Sequence, residues 1–259
     1  RITRPLDELV RASRRMAGGD MDTPLSAALT QPRSHDEVSA LAVAFEQMRG
    51  SIAEQQRQIR QLAYWDRLTG LPNRVQFRDA VLAATQAHQG TEPLAVVMLD
   101  LDRFKHVNDV LGYAFGDRLL QGVAQRLQQV VRPQDLVSRL GGDEFALLLP
   151  GADAAAAQAV ATRIAAAFEQ PLTLDDQRVD LSAGLGIACW PEHAADADTL
   201  LSRAEVAMYV AKRHTAGAQL YEASLDNGSA QTLSLLSELR HAVDNHELRL
   251  HLQPKVALA

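Results

Sequence analysis

Asp135-Leu136-Val137-Ser138-Arg139-Leu140-Gly141-Gly142-Asp143-Glu144-Phe145-Ala146-Leu147-Leu148-Leu149 places two strand-like apolar runs on either side of a Gly-Gly pair. That is the pattern of a β-hairpin whose turn needs backbone freedom. Upstream, Leu94 to Leu99 is a short apolar run closed by Asp100 and followed by a helical stretch through Val131. Downstream, the alanine-rich stretch Ala152 to Phe168 keeps helical spacing at Val160, Ile164 and Phe168, so it reads as a helix with a small-residue face rather than a low-complexity linker. Val179 to Ala188 alternates as a strand, Asp198 to Lys212 reads as a helix, and Gln219 to Tyr221 begins a last strand. The order β-α-β-β-α-β, with further α and β, predicts an α/β domain of the α+β, palm-like kind, with a split βαβ sheet flanked by helices.

In such a sheet the first strand lies beside the hairpin, which brings Asp100 to the same edge as Asp143 and Glu144. Carboxylates gathered this closely repel one another unless a cation neutralises them. Hard oxygen ligands with few imidazoles favour Mg²⁺ or Mn²⁺, and a two-metal site suits in-line attack on a phosphate. The alternative is a solvated hairpin tip with ordinary acidic turn residues.

Composition narrows the partners. The 259 residues are 47% hydrophobic, enough for one well-buried domain with smaller flanking pieces. A formal net charge of -6 gives no general attraction to nucleic acid, so a phosphate ligand must be held locally or through metal. The single cysteine, Cys189, excludes an internal disulfide framework and reads as a buried apolar thiol in a reducing compartment. No run approaches the roughly 20 apolar residues of a membrane helix, and no secretory signal opens the chain, so these residues are expected to be soluble. Its abrupt beginning at Arg1 and its stop at Ala259 inside a strand-like pattern suggest a piece of a larger protein.

Two helices precede the sheet pattern. Leu6, Leu9, Val10 and Met16 form a short amphipathic stretch ended by Gly18-Gly19-Asp20, and a polar connector with Pro24 and Pro32 follows. Then Val38, Leu41, Phe45, Met48, Ile52, Ile59 and Leu62 recur at three-four spacing, with Gln55 in the one missing slot. Such a stripe on an otherwise polar helix predicts a parallel coiled coil and hence a homodimer; packing of a single helix on its own domain is the alternative. Pro5, the Gly-Asp pair, Asp36-Glu37 and Phe45-x-x-Met48 together resemble a HAMP relay module. That resemblance implies a transmembrane helix just upstream, with Arg1 and Arg4 at a cytoplasmic membrane edge.

Four strings carry a second resemblance. Asp66-Arg67-Leu68-Thr69-Gly70-Leu71-Pro72-Asn73-Arg74, Asp100-Leu101-Asp102-Arg103-Phe104-Lys105-His106-Val107-Asn108-Asp109, Gly116-Asp117 and Gly141-Gly142-Asp143-Glu144-Phe145 occur in the order and spacing of the GGDEF diguanylate cyclases. The resemblance covers residues 61–223 and implies condensation of two GTP into cyclic di-GMP and pyrophosphate, with Mg²⁺ or Mn²⁺ as cofactor. It implies that Asp100, the Leu101 carbonyl, Asp143 and Glu144 are metal ligands, with Glu144 also the base for the ribose 3′-hydroxyl. Asn108 and Asp117 become guanine readers, Phe104 and Lys105 a cradle for the terminal phosphates, and Gly141 and Gly142 a backbone the nucleotide can approach closely. Lys212 and Tyr113 fall at further nucleotide-contacting positions, and Arg132-Pro133-Gln134-Asp135 matches the family's product-inhibitory site, with Arg132 and Asp135 holding cyclic di-GMP. Without that register the same string reads as an exposed ion pair.

The sequence departs from the family at Tyr113, where His is usual, at Ala216, where a phosphate-contacting Arg is usual, and at Glu205, where Asp is commoner. His106 beside Asp109 reads as a solvated helical pair rather than a metal site. Beyond the domain, Leu235 to Val243 reads as an amphipathic helix. Leu248-Arg249-Leu250-His251-Leu252-Gln253-Pro254-Lys255 resembles the first strand of an EAL phosphodiesterase domain. The expected organisation is a helical relay over residues 1–60, a cyclase domain over 61–223, and a linker helix with a truncated EAL strand over 224–259. GTP-dependent regulation of an attached phosphodiesterase is the competing function.

Overall fold

The computed structural model describes residues 3–18, 20, 23–25, 37–87, 92–174, 177–214 and 217–226. The chain divides into two compact units, Arg1–Arg67 and Leu68–Ala259.

In the first unit, helix α1 (Thr3–Ala17) and helix α2 (Glu37–Tyr64) follow the two amphipathic patterns. Leu9, Ala12, Leu25 and Ala42 form a small core with Phe45 packed against it. Glu46 pins this core: its carboxylate accepts the Leu25 N–H at 3.2 Å and pairs with Arg49 at 2.6 Å. The Arg49 hydrogen bond holds the Glu46 carboxyl below its ordinary range. Along α2, Leu41, Met48, Ile59 and Leu62 are exposed, so most of the heptad stripe lies on the surface of this unit.

The second unit runs α3 (Arg74–Ala87), β1 (Leu94–Leu101), α4 (Phe104–Leu111), α5 (Tyr113–Val130), β2 (Leu136–Gly141), β3 (Glu144–Pro150), α6 (Ala154–Phe168), β4 (Leu172–Leu174), β5 (Gln177–Val179), β6 (Ala183–Trp190), α7 (Ala197–His214) and β7 (Ala218–Leu220). The main sheet has the order β2-β3-β1-β6-β7, and β4-β5 is a separate small hairpin. β1 is antiparallel to both β3 and β6, and β7 is parallel to β6.

Strand alternation sorts the core into two layers. Ala95, Val97, Leu99, Phe145, Leu147 and Ile187 face α5 and α6, while Val96, Met98, Ala146, Leu148 and Ala188 face α3 and α7. Asp100 and Glu144 are opposite one another in register, and their even numbering puts them on the α3/α7 face. Gly184 and Gly186 share that face. A Cβ on Gly186 would come within 2.0 Å of the Met208 nitrogen and one on Gly184 within 3.0 Å of the Lys212 nitrogen, so both glycines are needed for α7 to lie directly on β6.

Two expectations need correcting, and one helix was missed. The helical stretch expected after Asp100, through Val131, is two helices, because Gly112 at φ 83 turns the chain between α4 and α5. The strand expected over Val179 to Ala188 is the end of β5 and the start of β6, with residues 180–182 between them. Helix α3 was not anticipated from the Asp66–Arg74 string. The expected helix and strand beyond residue 226, and Ala216, lie outside the described residues.

Candidate active site

Asp100 is the penultimate residue of β1 and Glu144 the first of β3, so the two carboxylates are cross-strand neighbours at one end of the sheet. The Leu101 N–H donates to the Asp143 carbonyl at 3.3 Å, which fastens the hairpin turn to the end of β1. Gly141 and Gly142 occupy φ 140 and 52, values that favour glycine. Two arginines brace this turn from opposite faces of the sheet. Arg139 donates through Nε and Nη2 to the Gly142 carbonyl at 3.1 and 2.7 Å. Arg74 donates to Glu144 Oε2 at 2.9 Å and to the Leu140 carbonyl at 3.3 Å.

Charge is unfavourable at both carboxylates. Burial raises the Asp100 pKa first, the Lys212 hydrogen bond opposes it, and the charges of Asp143 and Asp102 raise it further. Burial likewise raises Glu144; Arg74 lowers it, and Asp100, Glu205 and Asp143 raise it. Lys212 Nζ contacts Asp100 Oδ1 directly. Among the described residues no three Asp, Glu, His or Cys side chains converge as a ready-made metal cluster. Asp100 pairs with Lys212, and Glu144 pairs with Arg74 at 2.9 Å. The donor set still suits a hard divalent cation, because mutual repulsion among the acids persists beside two basic partners.

The other half of the site lies at α4 and α5. Arg103 sits at φ 57 before α4, whose first turn carries Phe104 and Lys105 and has no side-chain cap. Phe104 packs against the α5/α6 core layer, and Lys105 is exposed. Asn108 Oδ1 is buried without a hydrogen-bond partner. It lies where a Cβ on Gly116 would come within 1.9 Å, so Gly116 is the seat of this amide. Asp117 follows on the exposed side of α5, and Tyr113 is 78% exposed at the start of the same helix.

Arg132 and Asp135 lie away from this cluster, in the turn between α5 and β2. The Asp135 carboxylate accepts the Arg132 N–H at 2.8 Å, and the Asp135 N–H donates to the Arg132 carbonyl at 3.0 Å. The Arg132 residue is exposed. Cys189 is buried, with its thiol pushed up to about 11, first by burial, in keeping with an inert core residue. Sequence reasoning passed over Arg74, Arg139, Gly184 and Gly186. The Gly184-Leu185-Gly186 spacing, which puts both glycines on one strand face, was the available signal for the last two.

The family described as diguanylate cyclase, GGDEF domain, matches residues 63–218. The chain belongs to the GGDEF family. A HAMP domain matches residues 1–54. The GGDEF chain is 40% identical over 208 residues to the bifunctional diguanylate cyclase/cyclic di-GMP phosphodiesterase MucR of Pseudomonas aeruginosa, a match covering 80% of this chain and 30% of MucR. It is 38% identical over 224 residues to the diguanylate cyclase TpbB of the same organism, covering 84% of this chain and 52% of TpbB. The chain thus spans between about a third and a half of the length of these curated relatives. The solved GGDEF domain of TpbB superposes with a TM-score of 0.61 at 43% identity, covering 63% of this chain and 98% of that one. The coiled coil and GGDEF domain of DgcB from Caulobacter crescentus, solved with c-di-GMP, gives 0.65 at 25% identity, covering 71% and 100%. Diguanylate cyclases of this GGDEF family use divalent metal ions, and the mixed α/β fold with an N-terminal HAMP domain agrees with the sequence expectation.

Proposed function

We propose that the GGDEF domain condenses two GTP molecules into cyclic di-GMP, releasing two pyrophosphates. The observation that carries this reading is the in-register pair of Asp100 and Glu144, both discouraged from charge by burial. Asp100, the Leu101 carbonyl, Asp143 and Glu144 would hold Mg²⁺ or Mn²⁺, which when bound supplies charge neutralisation for phosphoryl transfer. Asn108 and Asp117 read guanine, since an amide and a carboxylate satisfy donor and acceptor edges that adenine lacks. The uncapped first turn of α4, with Phe104 and Lys105, receives the terminal phosphates, and Lys212 adds a point charge. Tyr113 flanks the base, and Gly141 and Gly142 keep the hairpin open to the ribose. Glu144 accepts the proton of one GTP's 3′-hydroxyl. The 3′-oxygen then bonds to the α-phosphorus of the facing GTP, and the bond to the β-phosphate breaks. The same step in the opposite direction closes the ring.

Each domain holds one GTP, so two domains must face each other. The exposed stripe Leu41, Met48, Ile59 and Leu62 of α2 supports a coiled-coil homodimer in which residues 1–60 relay a signal from an upstream membrane helix. Arg132 and Asp135 form a product-inhibitory site for cyclic di-GMP, with the Arg132 guanidinium forking onto product. No nucleic acid partner is required, and residues 248–255 mark the start of an EAL domain.

The departures at Tyr113 and Ala216, with the bifunctional name of MucR, favour a second reading, a GTP-binding module that steers an attached phosphodiesterase. Chromatography of the purified chain with GTP and Mg²⁺ separates the two. Cyclic di-GMP is expected; GTP binding with no product leaves the regulatory reading. Arg132→Ala is expected to weaken cyclic di-GMP binding by about tenfold, the loss of one charge-assisted fork. Unchanged affinity by calorimetry removes the inhibitory site.

A further inference from the structure

The Arg74 guanidinium ties together three parts of the chain. Arg74 is the first residue of α3, and Asn73 caps that helix by accepting the Val75 and Gln76 N–H groups at 3.0 and 3.1 Å. The preceding loop is itself fixed to β2, because the Arg139 N–H donates to the Pro72 carbonyl at 2.9 Å. From this anchored position the side chain reaches the last turn of the hairpin. Nη2 donates to Glu144 Oε2 and Nε to the Leu140 carbonyl, so one planar group joins the end of β2 to the start of β3. The hairpin needs such a brace, since its register shifts between Arg139 and Gly141. The shallow cleft beside it is lined by Arg74, Met98, Leu140, Glu144, Glu205 and Met208.

We propose that Arg74 is a positioning residue that fixes the orientation of Glu144 for the divalent cation, an inference that rests on the cyclase reading above. Arg74 engages Oε2, which would leave the second carboxylate oxygen, Oε1, for the cation. Partners that hydrogen-bond a metal-ligating carboxylate set its rotamer, and their loss costs roughly 10–100-fold in metal affinity or activity. Lysine keeps the charge but cannot span Glu144 and Leu140 with a planar fork, so it restores the function only in part. Glu205 shares the cleft and adds negative charge against Glu144, which makes the cation of Arg74 more necessary there.

The test uses the full 259-residue chain, with Mn²⁺ alone titrated into wild type, Arg74→Gln, Arg74→Lys and Arg78→Gln and followed by electron paramagnetic resonance in the absence of GTP. Arg78 is the control, being on the same helix and paired to Asp198 at 2.8 Å, away from the hairpin. The expected result is Mn²⁺ affinity about tenfold lower in Arg74→Gln, an intermediate value in Arg74→Lys, and wild-type affinity in Arg78→Gln. Product formation at saturating GTP should fall in the same order, while the preference for GTP over ATP stays constant. Equal or tighter Mn²⁺ binding by Arg74→Gln overturns the positioning role while the cyclase reading stands. A wild-type chain that binds no Mn²⁺ and forms no product overturns both. Circular dichroism of Arg74→Gln guards against misfolding, and a wild-type melt with reduced metal affinity supports the proposal.

Discussion

The two sides of the sheet end treat their polar groups in opposite ways. On the α4/α5 side, the Asn108 carbonyl oxygen is buried on Gly116 with no hydrogen-bond partner, an arrangement that costs stability until a donor meets it. On the α3/α7 side, Asp100 and Glu144 are each paired with a basic side chain, Lys212 and Arg74. The α4/α5 half thus leaves a buried acceptor open, while the charged half is provided with internal cations. This difference has a physical origin. An amide left unpaired costs a kilocalorie or two, whereas clustered buried carboxylates without any cation would simply take up protons. Under the proposed roles, selectivity and charge neutralisation rest on separate elements, and each can be broken alone.

The largest effect is expected at the charged half. Asp100→Asn should lower product formation by at least ~100-fold, beyond what loss of a supporting partner alone costs. Its effect on stability runs the other way. The folded pKa of Asp100 is raised, chiefly by burial, so the charged form opposes folding: the cost is absent below the unfolded value and grows as pH rises through the folded one. The metal-free Asn variant should therefore melt at or above the wild-type temperature at neutral pH. A marked fall in its melting temperature would mean that the Lys212 pair dominates and that burial does not.

A smaller and more selective effect is expected at the α4/α5 half. Gly116→Ala puts a methyl group 1.9 Å from Asn108 Oδ1 and must displace the amide. GTP binding should weaken by about 1–3 kcal/mol, the worth of a lost buried hydrogen bond, while ATP binding and Mn²⁺ binding stay as they are. Nucleotide titrations decide this. If GTP and ATP weaken equally, the Asn108 seat does not read the base.

Much of this arrangement was legible in the sequence, for identifiable reasons. The strand-Gly-Gly-strand signal and the Asp100 terminus of an apolar run depend only on neighbours in the chain, and the hairpin and β1 form where expected. The α4–α5 break was not foreseen because Gly112 sits inside a continuous helical periodicity, and only its positive φ ends the helix. Arg74 carries no local sign of its role, since its partners Glu144 and Leu140 are some 70 residues away in sequence. Lys212 was assigned to phosphate on family position alone. Its contact with Asp100 needs α7 to lie directly on Gly184 and Gly186, which no local pattern announces. The carboxylates' shared edge followed from topology, but their partners did not.

The smallest expected effect lies where α7 is anchored, away from both halves, and its sign separates it from them. His193 is 9% exposed, and its Nδ1 accepts the Cys189 N–H at 2.9 Å. The Arg203 guanidinium, in the second turn of α7, donates to the His193 carbonyl and lies 5.1 Å from the Tyr221 ring centroid. Burial lowers the His193 pKa, with Glu192 opposing and Arg203 reinforcing. A folded value below the unfolded one means that the neutral ring favours folding. Its contribution is complete above the unfolded value, about 6.5, and is lost as pH falls through the folded value. Asp100 and Glu144 have the opposite sign, since protonation relieves them. Between pH 7 and 5 the melting temperature should therefore carry a declining contribution from His193, set against the opposite contribution of the two carboxylates. His193→Asn, which keeps an acceptor but does not titrate, should flatten that decline while leaving GTP selectivity and Mn²⁺ affinity untouched. An unchanged slope in His193→Asn would place the acid sensitivity elsewhere, and a changed Mn²⁺ affinity would show that the α7 anchor and the charged half act as one unit.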